Sequence, residues 1–265
     1  MWIGTEGGGV FHLTDGLVTR VTTADGLADN RVLSLAESRD GSVLVGTTNG
    51  FSRIRGPEVE SFTPKDGLSQ SAVYALYEDH EQTLWAATGH GLNQFLDGRA
   101  TPYTTSEGLP SNDTGPVLQD RTGTTWVGTL GAGLARFDGH DFYALTMREG
   151  LASNTVRALA ADESGNLWVG TDRGLNRILH GRVSGVFTTR NGLPSDAISA
   201  LMVDSSGGLW IATSHGAVRY DHGKIEPIAG TTAPIVALGE DGQHHVYLAP
   251  KGAALLEYSN GALKA

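Results

Sequence analysis

Cysteine is absent from the 265 residues. Disulfides, thiolate metal sites and cysteine nucleophiles are therefore excluded, while the compartment stays open because many exported domains also lack the residue. Positive charge is scarce as well. Lys and Arg number 19 against 29 Asp and Glu, for a formal charge of −10, and they are scattered singly. No basic footprint exists for a phosphate backbone, so nucleic acid is not an expected partner. No stretch approaches the roughly 18 consecutive apolar residues of a membrane-spanning helix, so the chain is not expected to touch a membrane directly. Met1 is followed at once by Trp2-Ile3-Gly4-Thr5, without the basic, apolar and small-residue regions of a signal peptide. Low-complexity tracts and linkers are missing too, which points to one domain over residues 1–265.

What is present is a period. Seven times the chain writes a large apolar residue, an aliphatic or small one, Gly or Ala, and usually Thr. The copies are Trp2-Ile3-Gly4-Thr5, Leu44-Val45-Gly46-Thr47, Trp85-Ala86-Ala87-Thr88, Trp126-Val127-Gly128-Thr129, Trp168-Val169-Gly170-Thr171, Trp210-Ile211-Ala212-Thr213 and a divergent Tyr247-Leu248-Ala249-Pro250, with steps of 42, 41, 41, 42, 42 and 37 residues. Short β-type runs separated by glycine turns at a period near forty residues read as propeller blades.

The clearest unit runs from Gly150 to Phe187 and predicts four strands: 155–160, 166–171, 175–179 and 182–187. Named A to D from inside to outside, they are joined by turns at 162–165, 172–174 and 180–181, each with the Asp or Gly that a tight reversal needs. The A–B turn carries Ser38, Asp79, Asp120, Asp162, Asp204 or Asp241, six residues before Leu44, Trp85, Trp126, Trp168, Trp210 or Tyr247. These Asp residues read as turn-fixing acceptors of backbone N–H groups, and the Trp residues as wedges between blades. The count predicts an all-β, seven-bladed propeller of four-stranded antiparallel blades, with the first blade lacking its inner strand. Opening inside a blade motif suggests a longer polypeptide; the inner strand is then either absent or supplied from beyond Ala265.

The D–A connection repeats as Asp25-Gly26-Leu27, Asp66-Gly67-Leu68, Glu107-Gly108-Leu109, Glu149-Gly150-Leu151 and Asn191-Gly192-Leu193, followed by Asn30, Ser71, Asn112, Asn154 or Asp196. Together with the Trp-x-Gly-Thr phrase, Gly174-Leu175-Asn176-Arg177 and the stretch Asp162 to Trp168, this resembles the two-component regulator propeller repeat over essentially the whole chain, the last copy departing most. The resemblance implies a bacterial ligand-sensing module without catalytic residues of its own, often for carbohydrate fragments. It also implies a periplasmic location, with a transmembrane helix and a histidine kinase or other output domain outside this chain, and a partner propeller or domain that completes the site. A natural start at Met1 would instead imply the cytoplasm.

Positions that vary from blade to blade are candidates for recognition, since the fold does not dictate them. One set precedes the B–C glycine and includes Asn49, His90, Arg173 and His215; another follows or precedes the aliphatic opener of strand A and includes Arg31, Tyr74, Asp113 and Arg157. Antiparallel order puts both connections at one end of a blade, around the mouth of the central channel. Arg31, Asn49, Tyr74, His90, Asp113, Arg157, Arg173 and His215 together suit a polar small molecule or oligosaccharide, with an aromatic face for stacking and guanidinium forks for hydroxyls or carboxylates. Exposed turns favour polar residues whatever their function, so an ordinary solvated face is the competing reading.

Neither a metal nor a cofactor is expected. His90 and His215 fall three blades apart, and strand alternation would aim His244 and His245 to opposite faces. Streptogramin lyases share the seven-bladed plan, but no matching base and acid constellation is apparent. Sialidases use a turn of which Asp120 to Trp126 is a distant echo with the Asp displaced. A protein-interaction scaffold is the other alternative; a large exposed apolar patch would favour it, and a polar, aromatic-lined pocket would favour sensing.

Overall fold

The computed structural model, which describes residues 1–14, 16–96, 99–259 and 261–264, is a seven-bladed β-propeller of antiparallel sheets. Blade 1 has three strands, Trp2–Gly4, Val10–Thr14 and Leu17–Val21, and each of blades 2 to 7 has four. Blade 5 runs Val156–Ala161, Leu167–Thr171, Gly174–Leu179 and Arg182–Phe187, within a residue of the expected bounds. The missing inner strand of blade 1 and the four-strand count of the others follow the sequence reading. No helix among the described residues is long and apolar enough to cross a membrane.

Two compact units hold the contacts. In the first, Met1–Gln119 with Gly123–Thr129 and Ala135–Tyr143, Trp85 packs against Leu109, Val117, Val127 and Phe137 of the fourth repeat. In the second, Asp120–Thr122, Leu130–Leu134 and Ala144–Ala265, Trp168 packs against Leu193, Ile198 and Ile211 of blade 6, and Trp210 against Ile228, Ile235 and Leu248 of blade 7. Each indole is thus the wedge onto the next blade that the repeat implies. The second strands of blades 2 to 6 are buried at every residue, each being paired with a strand of its own blade along both edges.

The turn aspartates do more than close a reversal. Asp79 accepts the backbone N–H of Thr83 at 2.8 Å through Oδ1 and the indole N–H of Trp85 at 2.8 Å through Oδ2. Asp162 does the same for Asn166 (2.9 Å) and Trp168 (2.8 Å), and Asp204 for Gly208 and Trp210, both at 2.8 Å. Blade 7 keeps the device with Tyr247, whose hydroxyl donates to Asp241 at 3.1 Å. Burial, and then the adjacent Asp241 carboxylate, push Tyr247 up to about 12. The six-residue spacing is therefore the reach from a turn carboxylate to the polar tip of the wedge.

Blade-to-blade approach sets the small residue of the phrase. A Cβ added at Gly170 would lie 2.6 Å from Cγ2 of Ile198 and 3.3 Å from Cβ of Ala158. Gly170→Ala is expected to cost about 1–3 kcal/mol through overpacking, read as a lower denaturation midpoint at unchanged m-value. An unchanged midpoint would show that the two sheets can separate at no cost.

One expectation is corrected. His244 and His245 lie in the turn before the strand Val246–Pro250, not in a strand, and His244 takes φ 64°. Their ring nitrogens serve separate carboxylates: His245 Nδ1 meets Asp241 Oδ2 at 3.2 Å, and His244 Nδ1 approaches Glu240 Oε1 at 3.5 Å. The left-handed backbone of His244, rather than strand alternation, separates them.

Candidate functional site

Every inner strand of blades 2 to 7 slips register near its start. Val73 faces Thr88 while Ala75 faces Ala87, which leaves Tyr74 as an extra residue. Val156 faces Thr171 while Ala158 faces Gly170, which leaves Arg157. Leu33, Ser199 and Val236 are the corresponding residues of blades 2, 6 and 7, and in blade 4 the shift spans Gly115 and Pro116. A bulge bends its strand and re-aims the added side chain. Tyr74 is 47% exposed and Val236 50%, so bulged side chains reach solvent even when apolar. Of the variable positions picked from strand A, Tyr74 and Arg157 are therefore bulge positions of the fold, whereas Arg31 and Asp113 stand one residue before the opener and outside the slip.

The B–C turns hold their variable residues in one repeated way. Thr47, Thr88, Thr171 and Thr213 each accept, through Oγ1, the backbone N–H of Asn49, His90, Arg173 and His215 at 3.1–3.2 Å. Each also donates to the carbonyl of the following glycine, at 2.7–2.9 Å. That glycine has a positive φ, 139° at Gly174, where a Cβ would lie 2.9 Å from the carbonyl oxygen of Phe187. The Thr of the repeated phrase thus fixes the backbone of the variable residue without engaging its side chain. All eight candidates are exposed.

In the first unit the candidates follow one another along a continuous line. Thr48 N–H donates to the carbonyl of Arg31 at 3.2 Å, and Gly50 N–H to that of Ser71 at 2.5 Å. Asn49 is thereby set between the start of its own inner strand and the approach to Tyr74. A Cβ at Gly89 would lie 3.6 Å from the Tyr74 ring and 2.7 Å from Oε1 of Gln70, so both side chains close over the turn that carries His90. Gly91 N–H donates to Asn112 at 2.7 Å, which puts His90 beside Asp113. Gln70 belongs to this cluster and was not among the expected residues; its only signal was a position two residues past Leu68 in a connection that varies.

In the second unit, the pairing of Val156 with Thr171 sets Arg157 next to the turn of Arg173. Ser214 N–H donates to Ala197 at 3.1 Å and Gly216 N–H to Ala233 at 3.0 Å, which holds His215 between the entries of blades 6 and 7.

The D–A connections are firmer than their Asp-Gly-Leu signature suggests. In blades 1 to 5 a threonine (Thr22, Thr63, Thr104, Thr146, Thr188) caps a short 3₁₀ turn, and the Asp, Glu or Asn three residues later caps back onto its N–H. Asn30, Asn112, Asn154 and Asp196 accept the N–H of the next residue after that threonine at 2.6–2.9 Å. The end of each blade that carries the candidates is thus hydrogen-bonded through its backbone, while of the candidate side chains His215 meets the scaffold, its Nδ1 lying 3.1 Å from the Ser214 hydroxyl.

A cleft of about 470 Å³ in the second unit lies at the opposite end, between the A–B turns of blades 6 and 7, and none of the eight candidates lines it. Ser205, Glu240 and His244 meet there. Ser205 Oγ donates to Glu240 Oε1 at 2.6 Å and lies 2.7 Å from His244 Nδ1, the same nitrogen that approaches Glu240. A nucleophile–base–acid relay needs the acid on the far nitrogen of the imidazole. This trio instead ties two blades together. Among the described residues no group of three His, Asp or Glu side chains could hold a metal ion.

Residues 67–90, 150–173 and 192–215 match the family model described as two component regulator propeller. No curated protein matches the chain. Among solved structures, the extracellular domain of a hybrid two component system of B. thetaiotaomicron superposes with TM-score 0.83 at 23% identity over 98% of this chain and 37% of that one. Virginiamycin B lyase of Staphylococcus aureus gives 0.75 at 18% identity over 94% and 87%. PorZ of Porphyromonas gingivalis, a surface component of the type-IX secretion system, gives 0.72 at 16% over 97% and 44%. At these identities the likeness is one of fold. The chain spans less than half the length of the sensor extracellular domains it resembles.

Proposed function

We propose that this chain, whose repeats are those of the two component regulator propeller family, is a ligand-sensing module of a bacterial two-component-type receptor, held in the periplasm. Its ligand is a polar molecule of the oligosaccharide class, bound at the end that carries the bulges and B–C turns, and the reading is binding rather than catalysis. The observation that supports this most is the coincidence of two independent devices at one end. A bulge turns out the variable residue of each inner strand, and a threonine clamps the backbone beside the variable residue of the adjoining turn. Tyr74 offers a ring for stacking on a sugar face; Arg157 and Arg173 offer forks for hydroxyl or carboxylate oxygens. A signal-transmitting partner propeller or output domain would lie outside these residues, in keeping with the fraction of the sensor domains that the chain spans.

A thermal-shift panel of neutral and acidic oligosaccharides tests the reading, because a ligand that prefers the folded state raises Tm by mass action. A saturable rise with one glycan class is expected. Tyr74→Ala with His90→Ala, or Arg157→Ala with Arg173→Ala, should weaken it at least ten-fold while leaving the ligand-free Tm within about 2 °C, since all four side chains are exposed. A rise untouched by both double variants would remove the site from this end. No rise with any glycan would favour the protein-interaction reading.

A further inference from the structure

Three groups around blade 1 lack the partners that their counterparts have in the other blades. The first is the strand Trp2–Gly4 itself. It pairs with Val10–Thr14 on one side, and no described strand pairs with its other edge. The equivalent strands of blades 2 to 6 are buried throughout, whereas Trp2 and Ile3 are only half-buried. The second is the Trp2 indole N–H, for which no acceptor is present among the described residues; in blades 3, 5 and 6 the Asp six residues ahead holds that group at 2.8 Å.

The third is Glu37, the last residue of the inner strand of blade 2. Glu78 ends the corresponding strand of blade 3, and there it accepts from the Ser38 hydroxyl and the Arg39 N–H of the preceding blade's A–B turn. Gln119 accepts the His80 N–H at 2.9 Å, and Glu240 accepts the Ser205 N–H at 2.8 Å. Arg39, His80 and Ser205 each stand one residue past the turn Ser or Asp, so this is a repeated latch between blades. Glu37 carries the same carboxylate, is exposed, and has no donor among the described residues.

Blade 1 is otherwise docked as the others are. A Cβ at Gly4 would lie 2.5 Å from Val32 of blade 2, just as one at Gly170 would crowd Ile198 of blade 6. Trp2 stands opposite His12 and stacks on it at 4.0 Å, in the register in which Trp168 stands opposite Arg177.

We propose that the edge of Trp2–Gly4 is a β-augmentation site, and that its partner is a peptide segment with the pattern of this chain's own inner strands and turns: an aliphatic opener, a second aliphatic residue three positions on, and an Asp three positions beyond that. Backbone pairing to Trp2–Gly4 supplies the affinity. The Asp accepts the Trp2 indole N–H, and the backbone N–H after the Asp is taken by Glu37. These last two contacts select such a segment over any other extended chain, because a strand without the turn satisfies neither. The proposal rests on blade 1 and Glu37, and not on the ligand site at the far ends of the strands.

The peptide of residues 154–166, which holds the inner strand and turn of blade 5 with Asp162, is the probe. Labelled and titrated into the 265-residue chain, it should bind saturably, raise Tm with concentration and slow amide exchange at Trp2 and Gly4, whose N–H groups face the open edge while that of Ile3 faces Phe11. The same peptide with Asp162→Ala, or the chain with Glu37→Ala, should bind about ten-fold more weakly, the loss expected for a hydrogen bond to a charged group. A second arm removes the dependence on affinity. Placed directly ahead of Met1, residues 154–166 bring Asp162 six positions before Trp2, and this extended chain should melt higher than one extended with the Asp162→Ala version. Equal melting of the two extensions, together with peptide binding that is absent or insensitive to Asp162 and Glu37, would overturn the proposal. So would a concentration-dependent dimer that the peptide dissociates, since a second copy would then be the occupant.

Discussion

Trp168→Ala is expected to remove about 3–5 kcal/mol of stability, the range for deleting a buried indole, and to lower Tm by about 10 °C or more in a chain of this size. Trp168 is 2% exposed. Its ring lies 5.0 Å from Tyr220 and 5.8 Å from Phe187, so removal opens a space that two neighbouring blades share. It also strips Asp162 of its indole donor, while Asn166 continues to donate from both its backbone and its side-chain amide. Trp168→Phe separates the two effects: it keeps most of the apolar fill and loses only the N–H, so about 1–2 kcal/mol is expected. Urea denaturation of both variants checks the order. If the two were equally destabilised, the hydrogen bond to Asp162 would outweigh the packing. If neither were destabilised, the indole would not be the wedge described.

The second large effect belongs to Asp204. Its carboxylate receives the Gly208 N–H, the Trp210 indole, the Ser206 hydroxyl and the Arg219 guanidinium, the last at 2.9 Å from Nε. Arg219 also donates to Asp221 at 3.0 Å. Only a glycine at 208 leaves room, because a Cβ there would overlap the guanidinium; Ser42, Thr83, Thr124, Asn166 and His245 fill that place in other blades. Asp204→Ala strands a largely buried cation and an indole N–H together, and about 3 kcal/mol is expected, the lower end for a broken buried pair because Arg219 keeps some contact with water.

The same carboxylate makes the stability of blade 6 acid-sensitive. Burial alone would push Asp204 up, but Arg219, Ser206 and the two N–H donors outweigh it and hold the group well below the ordinary carboxylate range. A folded-state value below the unfolded one means that the unfolded chain takes up the proton first. The contribution is therefore complete above about pH 4 and is lost as the pH falls further. Asp204→Asn, which cannot ionise, should flatten that part of the stability-against-pH curve. A wild-type slope unchanged in this variant would assign the acid sensitivity to other carboxylates, of which Asp241 is also held low.

Both effects are half legible in the sequence. The six-residue step from Asp to Trp could be read in the sequence as a turn and a wedge, because each residue type has one dominant use at such a place. That the two side chains bond to each other could not, since it depends on how far the turn folds back beside the strand. The threonines gave less away. Thr88 and Thr171 looked like the tail of a strand motif, yet their hydroxyls clamp the turns that present His90 and Arg173. The caps at Thr104 and Thr146 lay three residues upstream of the Glu-Gly-Leu signature that drew notice. His244 and His245 misled because a polar pair before Tyr247 continues the alternation of a strand, whereas the structure turns at His244.

By itself the sequence determined the number of blades, the strand order within each and the absence of one inner strand. A repeat of fixed length states these directly, and period-two patterning sets which residues face a neighbouring sheet. It also determined that the variable positions fall at one end of each blade, which follows from antiparallel connectivity alone. Tertiary structure decided the rest. The register slips that expose Tyr74 and Arg157 arise from backbone pairing between strands about ten residues apart, and no residue type marks them. The latches from Arg39 to Glu78 and from Ser205 to Glu240 join residues 39 and 35 positions apart. Such contacts depend on how closely two sheets approach, a distance set by the glycine or alanine between them and by the indole wedged alongside.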